Sequence, residues 1–166
     1  MPVANFTLTQ EYLHQLFEYK NGNLYWKENR GNNKICGKKA GSVDKQGYLI
    51  IRINKKAYKT HRLMFLYHYG FIPNCIDHID GNKINNNINN LREATRSQNG
   101  CNSKIKKNNT SGVKNVSWSK TNKKWVVQIR KNGKFLYRGF FDDLELAELV
   151  AIEARDKYHG KFANHG

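Results

Sequence analysis

Asn132-Gly133 is the tightest constraint in this chain. It stands between two alternating stretches, Lys124 to Arg130 and Lys134 to Phe140, and Asn-Gly takes the positive φ angles of a type I′ turn. Such a turn joins antiparallel strands at close range, so the two stretches are predicted to pair as a hairpin. Val113 to Trp118 reads as a third strand. Asp142 then opens a helix, with Glu145 three residues on in a capping-box-like arrangement. Leu144, Ala147, Ala151, Ala154 and Tyr158 mark its buried stripe, and Gly160 ends it. Three antiparallel strands with one helix across them are expected for the C-terminal third.

The charge of this region points to its partner. Between Ala94 and Phe141 there is no acidic residue, whereas Arg96, Lys104, Lys106, Lys107, Lys114, Lys120, Lys123, Lys124, Arg130, Lys131, Lys134 and Arg138 all fall there. A solvated face ordinarily mixes both signs. With a formal net charge of +16 over 166 residues, the run reads as an electrostatic footprint for nucleic acid. On the second strand Gln128 and Arg130 share a face, as a groove-reading surface requires. On the third strand strict alternation pairs Phe135 with Tyr137 and Leu136 with Arg138. Trp118 and Trp125 fit a core position as well as a DNA contact.

Three cysteines, Cys36, Cys75 and Cys101, stand singly with no CxxC pair, so neither a zinc ribbon nor a disulfide framework is implied. With no signal peptide and no long apolar run, a reducing, cytosolic setting is expected.

Towards the N-terminus the elements shorten. Thr7 with Gln10 fits a capping box for a helix presenting Leu8, Tyr12, Leu16 and Tyr19, stopped by Asn21-Gly22-Asn23. Leu24 to Trp26 reads as a strand, as do Tyr48 to Ile53 and Ala57 to Thr60. Arg62 to Tyr69 suits a helix capped by Gly70. Phe71 to Ile79 looks extended, Asn82 to Asn90 is an asparagine-rich loop, and Leu91 to Gln98 suits a helix. Residues 103–110 are polar, lysine-rich and read as a linker.

The chemistry concentrates in Ile76-Asp77-His78-Ile79-Asp80-Gly81-Asn82, then Asn90-Leu91-Arg92, then Asn99 and Asn102. Phosphodiester hydrolysis needs a nucleophilic water, a base for its proton and a cation at the leaving oxygen. A hard cation takes oxygen ligands from a few side chains, which Asp77 and the carbonyl of Asn99 can supply. His78 supplies the base, since an imidazole near its ordinary pKa accepts a proton at physiological pH. An Asp-His pair alone is a common surface feature; the whole pattern in order carries the reading.

His61-Arg62-Leu63, Asp77 to Asn82, Asn90-Leu91-Arg92 and Asn99 resemble the HNH endonucleases of phages, including intron-encoded homing endonucleases, over residues 20–102. The resemblance implies a ββα-metal fold in which two strands and a helix clasp one divalent ion. It makes Asp77 and Asn99 the metal ligands, His78 the general base and Asn90 the residue that holds the loop in shape. Asn99 stands where the name has its last His, as in the Asn-ended homing enzymes. The ion implied is Mg²⁺, with Mn²⁺ as the alternative and no zinc. His61 and Arg62 either touch a phosphate or brace the motif from behind.

Residues 111–163 resemble the AP2-type DNA-binding domain of phage endonucleases and plant transcription factors, through Ser111 to Trp118, Lys124 to Arg130, Gly139 to Asp142 and the Ala-rich helix ending at Tyr158 and Gly160. The resemblance implies sheet-face docking in the major groove of double-stranded DNA. It makes Lys114, Ser117, Trp118, Gln128, Arg130 and Tyr137 contacts.

The fold class expected is therefore α+β, a ββα-metal nuclease core at 1–102, a basic linker at 103–110 and a three-stranded antiparallel sheet with one packed helix at 111–163. The function expected is a metal-dependent, homing-type DNA endonuclease acting in the cytoplasm of a host bacterium. No membrane, small-molecule or obligate protein partner is implied. The rivals are a catalytically silent DNA-binding regulator that uses the fold as a scaffold, and an RNA-binding protein. Because every proposed catalytic residue lies at or before Asn99, a chain ended near Asn102 is expected to keep its metal site whole.

Overall fold

A computed structural model describes residues 7–166. It is a mixed α and β structure of several small antiparallel sheets and few helices, and its contacts divide it into two units, residues 1–93 and 94–166.

The first unit opens with α1 (Gln10–Leu16), capped by Thr9, whose hydroxyl accepts from the Tyr12 N–H. The cap expected at Thr7 thus moves two residues on. The helix also ends sooner than its apolar pattern suggests. Phe17–Lys20 is β1, paired with β2 (Asn23–Trp26) from Phe17↔Trp26 to Lys20↔Asn23, so Tyr19 lies on a strand. The cause is local, since Asn21 and Gly22 take φ of 48° and 80° and form a hairpin turn rather than a helix stop.

A second sheet follows in the order β3 (Ser42–Val43), β4 (Leu49–Ile53) and β5 (Lys56–Lys59). Its hairpin turns on Asn54 and Lys55, both at positive φ, without a glycine. β5 runs straight into α2 (Thr60–Tyr69), which ends as expected at Gly70 in the left-handed region. Leu63, Met64, Phe65 and Leu66 of α2 bury against Leu13, Phe17, Leu24, Ile51 and Ile53. Each fully buried aliphatic or aromatic side chain contributes about 1.5–3 kcal/mol, so this cluster holds α1, α2 and the two hairpins as one body. β6 (Ile76–His78) pairs antiparallel with β7 (Leu91–Glu93). The helix expected over 91–98 is therefore half strand.

The second unit begins with α3 (Arg96–Cys101), opened by a complete capping box. Thr95 accepts from the Gln98 N–H and the Gln98 side chain accepts from the Thr95 N–H. That box competes with a helix start at Leu91 and wins, because it satisfies two otherwise orphaned donors. The sheet runs in the order β10 (Lys134–Phe141), β9 (Lys124–Lys131), β8 (Val116–Ser119), with the predicted turn at Asn132 and Gly133, φ 52° and 76°. α4 (Leu144–His159) packs on one face through Ala147 and Ala151 against Val113, Val116 and Val127. Its cap is Asp143, accepting from Leu146 N–H, and not Asp142.

Two details depart from strict alternation or from the expected boundaries. A bulge between Phe135 and Tyr137 puts Phe135 opposite Arg130 and Tyr137 opposite Ile129. Phe135 therefore joins Arg138 on one face, and Tyr137 faces α4. α3, moreover, is tied into this unit by residues far downstream. Cys101 packs with Ala94 and Phe162, Ser97 Oγ accepts from Asn132 N–H, and Asn164 donates to Asn102. A chain ended near Asn102 would lack Asn132, Phe162 and Asn164, the downstream residues that contact α3 and its flanks.

Candidate active site

β6 delivers Asp77 and His78 to the interior, where they are 2% and 7% exposed. After His78 the backbone reverses at Asp80-Gly81, with the Gly81 N–H donating to His78 O and Gly81 at φ 67°. From there to Asn90 the chain is held by its own amides. Asp80, Asn82, Asn85 and Asn87 each accept from the N–H two residues on, at 2.8, 3.2, 3.4 and 3.0 Å. Short polar side chains do this readily, so an asparagine-rich segment can be ordered without a core.

Asn90 closes the loop. Its Nδ2 donates to Asp80 Oδ1 at 2.9 Å and to Asn85 O at 2.8 Å, its Oδ1 accepts from Asp80 N–H at 3.1 Å, and its carbonyl accepts from Ile79 N–H at 2.8 Å. Partial burial works against the Asp80 anion, but the bonds from Asn82, Asn85 and Asn90 outweigh it and hold the carboxyl below its ordinary pKa.

His78 is set by a neighbour that sequence reasoning missed. Asn86, 1% exposed, donates through Nδ2 to Ile84 O, which fixes its amide, and its Oδ1 faces His78 Nε2 at 3.2 Å. An amide oxygen only accepts, so Nε2 carries the proton and Nδ1 is the basic nitrogen. Burial lowers the His78 pKa, and the opposing pull of Asn86, Asp80 and Asp77 does not reverse it. No sequence signal separates Asn86 from the other asparagines of the loop, since its role comes from burial alone.

Asp77 Oδ2 accepts from Arg92 Nε at 2.8 Å and pairs with Arg92 Nη2 at 2.6 Å across the β6–β7 ladder. Both guanidinium nitrogens meet one carboxylate oxygen, which positions that oxygen and balances its charge. His61 is 7% exposed, with its ring 5.1 Å from His78 and 5.5 Å from Tyr48. Burial, then the charges of His78, Lys59 and Arg62, push it down to about 3, so it is neutral. Arg62 Nη1 donates to Pro73 O, a bracing contact.

In the second unit Asn99 is an exposed residue of α3. Ser117, Gln128 and Arg130 share the sheet face opposite α4, together with Arg138 and Phe140. Arg130 lies 3.7 Å over the Phe135 ring and Arg138 5.3 Å over Phe140. Trp118 pairs with Trp125 on the other face, 45% exposed at its rim. Tyr137 packs towards α4. Lys114 is placed otherwise than a groove contact requires, being 7% exposed and donating to the carbonyls of Cys101, Ser103 and Asn164. Burial drops its pKa to about 8.

The HNH endonuclease family matches residues 58–101. Protein 3.8 of Escherichia phage T7 is 42% identical over 90 residues, which span 53% of this chain and 72% of that protein. No solved structure matches the chain.

Proposed function

The chain belongs to the family of phage T7 Protein 3.8 and carries an HNH endonuclease segment, and from that premise we propose that it hydrolyses phosphodiester bonds of double-stranded DNA with His78 as the general base. The observation that carries this reading is the pairing of His78 with Asn86 inside a loop locked by Asn90. It leaves a neutral imidazole with Nδ1 unprotonated beside a buried carboxylate. His78 takes the proton of the attacking water at Nδ1 and keeps its Nε2 proton on Asn86, so the ring does not swing as it charges. Arg92 holds Asp77 in one orientation throughout.

Among the described residues no group of three or more His, Cys, Asp and Glu side chains converges to enclose an ion. One carboxylate with amide oxygens is the sparse, hard donor set that suits Mg²⁺ or Mn²⁺. Asp77 and, by its resemblance, Asn99 are the ligands we assign. When bound, the ion supplies charge stabilisation at the leaving oxygen. In the second unit the open sheet face supplies grip and sequence preference through Ser117, Gln128, Arg130 and Arg138, whether on a homing target or another site. Arg130 and Arg138, each lying over an aromatic ring, are pre-oriented as groove-reading donors.

Supercoiled plasmid incubated with the protein and Mg²⁺ should pass to the nicked form, and EDTA should stop it. Intact supercoils under these conditions would favour the silent DNA-binding regulator. Asp77→Ala and Asn99→Ala should each abolish nicking; a fully active Asn99→Ala protein would remove that residue from the ligand set.

A further inference from the structure

Two ammonium groups converge on one aromatic ring near His78. Lys59 closes β5, and its Nζ lies 3.8 Å from the Tyr48 ring centroid. Lys83 reaches the same ring from the asparagine-rich loop, at 4.7 Å, and donates to Gln46 O at 3.0 Å. The Tyr48 ring in turn lies 5.5 Å from His61 and 6.3 Å from His78. Among the described residues neither lysine has a carboxylate partner.

A ring face attracts an ammonium, but two ammoniums on one ring repel each other unless an anion sits between or beside them. Tyr48 is half-buried, so its ring holds these charges at the edge of the site rather than free in solvent. His61, whose ring also packs on Tyr48, leaves a second polar group of this corner unsatisfied. It is 93% buried, and its Nδ1 has no hydrogen-bond partner. A buried nitrogen left unpaired is costly unless something occupies its position part of the time.

We propose that Lys59 and Lys83, gathered on Tyr48, grip a backbone phosphate of the DNA strand beside the one that is cut. The proposal rests on the nuclease reading and extends it to a second, non-reacting phosphate. The ligand is a phosphodiester because it is the anion that a DNA strand repeats at short intervals on either side of a reacting centre. Both lysines lie outside the acid-free run of 94–141, where charge density alone places the phosphate contacts.

The test is DNA binding by the full chain in EDTA, with a short duplex of arbitrary sequence and fluorescence anisotropy as the readout. Lys83→Gln, at an exposed position, should flatten the plot of log K against log salt by roughly 0.9, and Lys59→Gln with Lys83→Gln by roughly twice that. Lys59→Arg with Lys83→Arg should keep the wild-type slope. On a duplex that the protein cuts, a neutral methylphosphonate at one phosphate next to the cut should weaken wild type and leave the double Gln variant unaffected. A wild-type slope in both Lys83→Gln and the double Gln variant would overturn the proposal and leave the lysines as supports for Tyr48. Because EDTA binding contains no chemistry, failure of wild type to nick plasmid would sink the nuclease reading alone.

Discussion

His78 lies between Asp77 and Asp80, whose charges favour its protonation, yet burial prevails and keeps it neutral. His78→Ala should therefore lower cleavage by about 10²–10⁴-fold with duplex affinity nearly unchanged; wild-type turnover in that variant would end its assignment as the base. Asn86→Ala should act through the same ring. Loss of the Nε2 partner lets the imidazole turn, and misplacement on that scale costs up to about 10²-fold in kcat, with Kd for DNA unmoved. His61 gives a pH prediction. Its folded pKa is about 3 against an ordinary 6.5, so between those values the unfolded chain takes up a proton that the folded chain refuses. Stability is thus present in full above pH 6.5 and falls on acidification, at up to about 1.4 kcal/mol per pH unit. His68, His78 and His159 are lowered by burial in the same direction. His61→Gln should flatten the decline of Tm between neutral and acid pH; an identical decline would mean that His61 titrates normally. Asp77 and His78 could be picked out in the sequence as a carboxylate beside an imidazole, and Asn90 only through the family resemblance of its motif. Asn86 could not, because orientation by a buried amide leaves no pattern in composition.

At the level of elements, turns were the most legible parts and helix starts the least. Asn132-Gly133 makes the hairpin expected of it, since positive φ at two successive residues leaves the chain little choice. The starts of α1, α3 and α4 each moved, because several Thr, Ser or Asp residues compete as caps and only the packed structure selects one. The bulge at Leu136 was hidden for a related reason, as one inserted residue leaves the alternation of residue types nearly intact while exchanging the faces beyond it. Gly22 links two elements that look independent in sequence. It sits at φ 80°, and a Cβ there would lie 3.1 Å from Asn87 Cβ and 3.2 Å from Asn87 Cα, so the β1–β2 turn presses on the loop that carries Asn86 and Asn90. Gly22→Ala should cost more than about 1 kcal/mol and should also raise amide exchange over residues 82–90. Exchange confined to the β1–β2 hairpin would show that the loop does not feel the turn.

For the molecule as a whole, net charge was read directly from composition, and it bears on solution behaviour rather than on fold. Arg130→Gln with Arg138→Gln should flatten the salt dependence of duplex binding by about 1.8 units, while Arg130→Ala alone should also relax preference at one or two base pairs by about 1–3 kcal/mol. Unaltered salt dependence in the double variant would move the grip off the open sheet face. What composition could not reveal is where one compact unit stops and the next begins, because the lysine-rich 103–110 stretch has the look of a linker while contacts part the chain at Glu93 and Ala94. The segment matched by the HNH family, 58–101, therefore crosses that division, and its last turn of helix depends on Asn132, Phe162 and Asn164 for its seat. For any gene that recombines, this sets a condition on descent. A crossover in the lysine-rich stretch would transmit the motif intact as a string of letters and yet separate its final helix from its foundations, so the exchanges that leave working progeny should carry the motif and the tail together.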